Sequence, residues 1–418
     1  MPSADEREFF DRIRDEPFDD APRLIFADWL DENGEPERAE FIRVQCAIHR
    51  LPSSDPLQSE LQEREGELAN LHAARWQSPL TPYVIDSDFR RGVIDRVSVD
   101  TKSFLHDGAE IFELAPVRRV RFLNIGEHLV DLVQSPLLRQ IRELDLTNNT
   151  LGNRIPILLA RSSHLTRLEA LDLGFTDLGD KGLQVLAASP VFAPLRSLQI
   201  NDNGHLGLPG MRAIADSPHL TSLVELDVGG NGLSAVALQP LFEGPPGDRL
   251  SRLVLTENRL GDAGVAALVA SPAFARMAQR DRSLNLRRVE MGPAGARALA
   301  ASPALQFVES LDLEGNMLGD AGLAALAASP HLTQIRELIL RDNRIGDDGA
   351  RALSRSAIME PIRVIDLMDN MITQESQDRL YEAKAKHNWR GKLELRVNSK
   401  HNLRAANLLA AFVRRPLP

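Results

Sequence analysis

Leu311-Asp312-Leu313-Glu314-Gly315-Asn316-Met317-Leu318-Gly319-Asp320-Ala321-Gly322 returns further along the chain as Leu338-Ile339-Leu340, Asn343, Ile345, Gly346, Asp347 and Gly349. It also stands earlier, as Leu253-Val254-Leu255, Asn258, Leu260, Gly261, Asp262 and Gly264. The first apolar residue of each unit falls at Ile141, Leu168, Leu195, Leu223, Leu250, Asp281 (a degenerate position), Val308, Ile335 and Ile362. Successive steps are 27, 27, 28, 27, 31, 27, 27 and 27 residues. A unit repeated at nearly constant spacing is a module that buries its apolar face against its neighbours.

The chemistry inside one unit predicts its conformation. In L-x-x-L-x-L the last two apolar residues are two apart, so both face one side of a short strand. Three residues on stands an Asn (Asn149, Asn231, Asn258, Asn316, Asn343, Asn370), whose amide both donates and accepts and can satisfy backbone groups leaving the strand. Asp180, Asp262, Asp320 and Asp347, in Gly-Asp-x-Gly, are placed as N-caps of the helix that follows. That helix is rich in Ala and Leu and stops at Ser-Pro. Strands stack about 5 Å apart while helices are about 10 Å wide, so the pile must curve. The expected fold is an α/β solenoid, a horseshoe with parallel strands concave and helices convex.

This pattern over 141–372 resembles the leucine-rich repeats of the ribonuclease-inhibitor type. Thr176 and Val289 replace the expected Asn in two units. A charged protruding loop is expected at Arg276–Arg282, where the step is longest, with a weakened turn at Val289. Ribonuclease inhibitors are rich in cysteine and this chain is not, so their activity is not implied.

The formal charge of −10 is unevenly spread. Residues 1–88 carry 21 acidic and 9 basic side chains, a net of −12; residues 379–418 carry 2 and 10, a net of +8. An acidic front and a basic tail can attract each other or different partners, while nucleic-acid binding by the whole chain is disfavoured. Cys46 is the single cysteine, so neither an intrachain disulfide nor a cysteine metal cluster is available. No apolar run spans a bilayer and the first residues lack a signal peptide's character, so a cytoplasmic setting is expected.

Before the repeats, helices are expected at 5–15, at 19–33 (ended by Gly34), from Pro36 to near Pro52, and from Leu57 to Ala74. The block from Asp19-Asp20-Ala21-Pro22-Arg23-Leu24-Ile25-Phe26-Ala27-Asp28-Trp29-Leu30 to Arg38-Ala39-Glu40-Phe41-Ile42-Arg43 looks like the repeat-companion domain of planctomycete and myxobacterial repeat proteins. That resemblance implies association with repeats and no catalytic activity. Asp28, Asp31, Arg38, Glu40 and Arg43 are read as a salt-bridge network or, alternatively, a docking patch. After a loop at 79–88, strands around Val93–Val99 and Val117–Leu123 flank a helix, as an irregular N-terminal cap. At the far end, Thr373 is expected to cap a helix running to His387, followed by a strand at Leu393–Val397 and a short amphipathic segment, Leu403–Val413, folding back on the last repeat. The domains are thus 1–88 helical module, 89–140 cap, 141–372 repeats and 373–418 C-terminal cap with basic tail.

No phosphate-binding loop, zinc-protease helix or nucleophile elbow occurs, so the pattern predicts no catalytic, metal or cofactor residues. His164, His219 and His331 share one repeat phase and read as structural. The outward positions between the core leucines hold Asp145, Asp172, Asp227, Asp312 and Asp366, flanked by Glu143, Glu225 and Glu314, with Arg341 one repeat beyond. Two readings stand: exposed acids that keep strands in water, or an acidic groove that docks a protein with a basic surface. The leading expectation is non-catalytic protein recognition. Regulation of a small GTPase, by analogy with Ran GTPase-activating proteins of the same repeat type, and a nucleic-acid contact by the basic tail are the alternatives.

Overall fold

The structure, a computed structural model, describes residues 2–51, 55, 57–245, 249–386 and 394–396. The described residues pack as two compact units: those up to Thr176 with Ser189–Leu195, and Asp177–Ala188 with those from Arg196 onward.

In the first unit, α1 (Ala4–Asp15), α2 (Ala21–Glu32), α3 (Pro36–Arg50) and α4 (Leu57–Gln77) form the helical module. Ser3 and Glu6 close a capping box at α1, and α2 ends at Gly34, whose φ of +83° suits a residue without a Cβ. Phe10, Ile13, Phe26, Ala27, Leu30, Ala39, Ile42 and Cys46 bury together with Val93 of the adjoining strand. β1 (Asp86–Arg90) and β2 (Val93–Asp100) follow as an antiparallel pair. The expected loop at 79–88 is therefore partly a strand. The one apolar residue of β1, Phe89, meets Phe41 and Trp76 edge-on, so the signal lies in packing rather than in alternation. α5 (Thr101–Leu114), β3 (Arg119–Leu123), α6 (Leu129–Gln134), β4 (Glu143–Asp145), α7 (Arg154–Leu159) and β5 (Ala170–Asp172) complete the unit, with β2 to β5 parallel.

The second unit runs α8 (Asp180–Ala188), β6 (Ser197–Gln199), α9 (Leu208–Ala215), β7 (Glu225–Asp227), α10 (Ala235–Glu243) and β8 (Arg252–Val254). It continues with α11 (Gly261–Ala270), α12 (Pro272–Asp281), β9 (Ser283–Asn285), α13 (Pro293–Ala300), β10 (Ser310–Asp312), α14 (Gly319–Ala327), β11 (Glu337–Ile339), α15 (Asp347–Ser354), β12 (Val364–Asp366), α16 (Gln374–Lys386) and β13 (Glu394–Arg396). Its strands form two parallel runs, β6–β8 and β9–β13, and among the described residues no ladder joins β8 to β9. Leu311 faces Leu338 and Leu338 faces Ile365, so the core column stays in register and fully buried.

Neighbouring repeats are tied by side chains as well as strands. Asn316 donates to the carbonyls of Leu286 in the preceding repeat (2.8 Å) and Leu313 in its own (2.9 Å), and its Oδ1 accepts from the N–H of Val289 and Met291. Asn149, Asn231, Asn258 and Asn370 bridge in the same manner, as does Asn203. Each buried amide meets backbone groups that the turn strips from the ladder. Thr176 donates its hydroxyl to Leu173 O and accepts from the Gly152 N–H through its carbonyl, and Val289 contributes its carbonyl to the Gly261 N–H.

The aspartates of Gly-Asp-x-Gly act differently from the expectation. Among the described residues, the helices that begin beside Asp262, Asp320 and Asp347 show no side-chain cap of their own. Asp180 Oδ1 accepts from the N–H of Gly207 (2.8 Å) and Gly210 (3.0 Å), at the start of α9 in the next repeat. Asp262 serves Gly292 and Gly295 of α13, and Asp320 serves Gly346 and Gly349 of α15. Asp347 takes the N–H and hydroxyl of Thr373. The carboxylate lies inside the first turn of its own helix, where it cannot fold back as a cap, so it reaches the orphan donors one repeat on. A Cβ on Gly295 would stand 2.7 Å from Asp262 Oδ1, which is why glycine holds that position. At the other helix end, the hydroxyls of Ser162, Ser217 and Ser329 donate to Val133 O, Ala187 O and Ala300 O of the preceding repeat, each at 2.6 Å.

A second correction concerns Arg276–Arg282. The segment is helical, not a protruding loop: Ser271 caps α12 through the Phe274 N–H (3.2 Å), and Ala273, Phe274 and Ala278 are buried. Ser-Pro stops one helix but equally starts another, with Ser as N-cap and Pro in the first turn. At the C-terminal end α16 and β13 are found, while His387 and Leu403–Val413 lie outside the described residues.

Candidate functional site

Because core leucines alternate with outward residues, each unit presents a strand face of charged side chains. In the first unit the acids of that face are compensated. Glu143 lies 3.2 Å from Arg90 and 3.8 Å from Arg119, and Asp145 lies 3.8 Å from Arg96 and 4.0 Å from Arg121. These arginines come from strands β1 to β3, and Arg119-Val120-Arg121 spells out the alternation that brings two of them to the same face. Beneath them Asp95 and Arg118 pair at 2.6 Å, both nearly inaccessible.

The aspartate column has a local task too. Asp145, Asp172, Asp227, Asp312 and Asp366 each accept, through Oδ1, the N–H two residues on, from Thr147, Gly174, Gly229, Glu314 and Met368 at 2.8–3.1 Å. Asn285 does the same for Arg287. This turn, closed by a side chain, ends each strand and explains the residue type without any ligand.

In the second unit Glu314 pairs with Arg287 (3.3 Å) and Arg341 with Asp369 (2.6 Å). Glu225 and Asp227 make no ion pair within 4 Å among the described residues. Burial raises the pKa of Asp227 and of Asp312, with the Gly229 and Glu314 N–H groups respectively pulling the other way. Glu143, Asp145 and Asp172 thus share one unit's face, and Glu225, Asp227, Asp312, Glu314, Arg341 and Asp366 the other's.

In the helical module, Arg43 bridges Asp28 (2.7 Å) and Asp31 (2.6 Å), and Arg64 holds Glu40 (2.8 Å). Arg38 instead lies over the rings of Trp76 (4.7 Å) and Phe89 (4.8 Å). Four of the five charged residues read from the sequence are therefore an ion-pair network, and the fifth is a stacking group. Burial pushes the Cys46 thiol up to about 11. Among the described residues no group of three or more His, Cys, Asp or Glu is arranged to hold a metal ion, and no helix is long and apolar enough to cross a membrane.

Six segments match the family model described as Leucine Rich repeat, at 164–187, 193–215, 219–242, 250–269, 304–327 and 331–354. The interval between the fourth and fifth contains α12 and Val289. No curated protein matches the chain. Among solved structures the chain is similar to one in "Crystal structure of Rad7 and Elc1 complex in yeast", at 12% identity over 91% of this chain and 85% of that one, with a TM-score of 0.34. The fold assignment rests on the repeats themselves: parallel strands alternating with helices, repeat upon repeat, make this an α/β solenoid built on leucine-rich repeats.

Proposed function

We propose that the chain is a non-catalytic module for protein recognition, which uses the strand face of its repeats to hold a partner with a basic surface. The observation that carries this reading is the pairing of a fixed core with an uncommitted exterior. Asn, Asp and Ser ties lock successive repeats, while Glu225 and Asp227 lie on the outward strand face without an ion-pair partner within 4 Å among the described residues. Outward residues repeated every strand, about 5 Å apart, suit a surface that recognises by area and electrostatic fit. The ribonuclease-inhibitor type of the repeats, the repeat-companion character of residues 5–52, the four-part division at 88, 140 and 372, and a cytoplasmic bacterial setting belong to the same proposal.

Affinity capture from the native host, followed by reconstitution with the purified partner, tests it. The variant to compare is Glu225→Lys, since Glu225 is exposed and its carboxylate makes no ion pair within 4 Å among the described residues, whereas replacing the column aspartates would break the turns they close. Loss of the reconstituted complex on charge reversal is the expected result; retention at unchanged affinity would remove the acidic strand face from the proposal.

A further inference from the structure

At β8 and β9 the second unit breaks its own rule. Elsewhere the residue after each strand donates to the next repeat, as Val228 does to Val254 O (3.1 Å), Leu286 to Asp312 O (2.8 Å) and Leu313 to Ile339 O (2.9 Å). Among the described residues no such bond joins Leu255 to Asn285, and the turn bonds Glu257 to Arg287 O and Gly261 to Val289 O are what continues across the junction. The result is a cavity of about 540 Å³ on the strand side, with α12 behind it. Leu253 and Leu284 line it half-exposed, although their equivalents Leu226, Leu311 and Leu338 are at most 1% exposed. Met277 of α12 adds a third apolar side chain.

Three carboxylates, Glu225, Asp227 and Asp281, rim the same cavity. None has an ion pair within 4 Å among the described residues, in contrast to Glu143, Asp145, Glu309 and Glu314, each held by at least one arginine. Burial raises the pKa of both Asp227 and Asp281, with Arg252 lowering each as a weaker influence. Arg252 and Arg280 line the cavity too, yet among the described residues neither comes within 4 Å of these carboxylates. A half-buried Asp227 and an exposed Asp281 that lack an ion-pair partner favour an added cation between them.

We propose that this cleft seats an extended segment of a partner protein in which a basic residue stands beside an apolar one. The apolar side chain covers Leu253, Leu284 and Met277, completing a core column left open on one side. The basic head reaches Asp227 and Asp281. The segment's backbone meets the strand edges of β8 and β9, which lack each other as partners, in the manner of strand addition to a free edge. The inference deepens the protein-recognition reading and rests on it.

The test pans displayed random peptides, about a dozen residues long, on the full chain, then measures the enriched peptides against Asp281→Asn, Leu284→Ser and, as a control on the exposed side of α15, Asp348→Asn. Asp281 is exposed, so Asp281→Asn is expected to keep the wild-type melting profile, while Leu284→Ser, at a half-buried position, is expected to melt a few degrees lower yet still in one cooperative transition. The expected outcome is a shared basic–apolar pair whose affinity falls roughly tenfold or more in the first two variants and holds in the control. Enriched peptides indifferent to both substitutions would place recognition elsewhere on the chain and overturn the cleft alone. Panning without enrichment would also overturn the cleft, leaving the strand-face reading to the Glu225→Lys experiment.

Discussion

The junction between β10 and β11 and the junction between β8 and β9 are written in nearly the same phrase, yet one is zipped and the other open. At the first, strands pair in register, Leu313 N–H reaches Ile339 O at 2.9 Å, and Asn343 donates back to Leu313 O at 2.8 Å. At the second, Val289 stands where the amide would be, the step is four residues longer, and those residues enter α12. A repeat stack is therefore closed locally, junction by junction. Inserting a helix behind the strands does not unstack it, because Asp262 still caps α13 and the turn carbonyls of Arg287 and Val289 are still engaged. Each repeat contacts chiefly its neighbours, so a defect stays where the sequence puts it.

The largest expected difference between the two junctions is in the core column. Leu311→Ala removes a side chain that is 0% exposed and should cost about 2–5 kcal/mol. Leu284→Ala, at the half-buried equivalent, should cost less, about 1–2 kcal/mol, because part of that surface already meets water. Urea unfolding of both variants reads the ordering; equal losses would mean the cleft is closed in solution.

A smaller contrast concerns the carboxylates that cap across repeats. Asp262→Ala and Asp320→Ala each orphan two helix N–H groups, a loss of about 1–2 kcal/mol. With strand pairing intact beside it, the Asp320 variant should remain locally closed. Without that support, the Asp262 variant should show the greater acceleration of amide exchange, at Gly292 and Gly295 relative to Gly346 and Gly349. The reverse ranking would mean that strands β8 and β9 are paired after all.

The finest effect is a pH dependence at the cleft's rim. Burial raises Asp227 above the unfolded aspartate value, so folding disfavours its charged form. Stability is therefore gained as pH falls from that raised pKa towards the ordinary aspartate value of about 3.9, and is lower above it. Asp227→Asn keeps an oxygen for the Gly229 N–H and carries no charge. Wild type should gain on this variant as the pH drops through that window, in melting experiments at stepped pH. A gain in the opposite direction would mean that Asp227 is ion-paired.

What could be read in the sequence follows the same division. The Leu–x–Leu column and the Asn phase were legible because their spacing is fixed by the backbone, and the place of the irregular repeat showed as a 31-residue step. Its nature did not show. Ser271-Pro272 reads as a stop, and only the packing of Phe274 and Ala278 reveals a start. The Asp of Gly-Asp-x-Gly was correctly tied to helix ends but assigned to its own helix, since a single unit contains no sign of the donors of the next. Acids of the strand face were legible as residues, while the pairing of Glu143 and Asp145 with Arg90, Arg96, Arg119 and Arg121 depends on strands β1 to β3, which lie outside the repeat pattern.

Amide hydrogen exchange resolved to single residues across the strand face tests the account most directly. Leu313 and Leu340, whose N–H groups meet Ile339 O and Asp366 O at 2.9 and 2.7 Å, should be strongly protected, and Leu255 should exchange far faster, at a rate set by an amide without a partner. Protection at Leu255 equal to that at Leu313 would show a continuous ladder, and with it neither an open junction nor a cleft for a partner to enter.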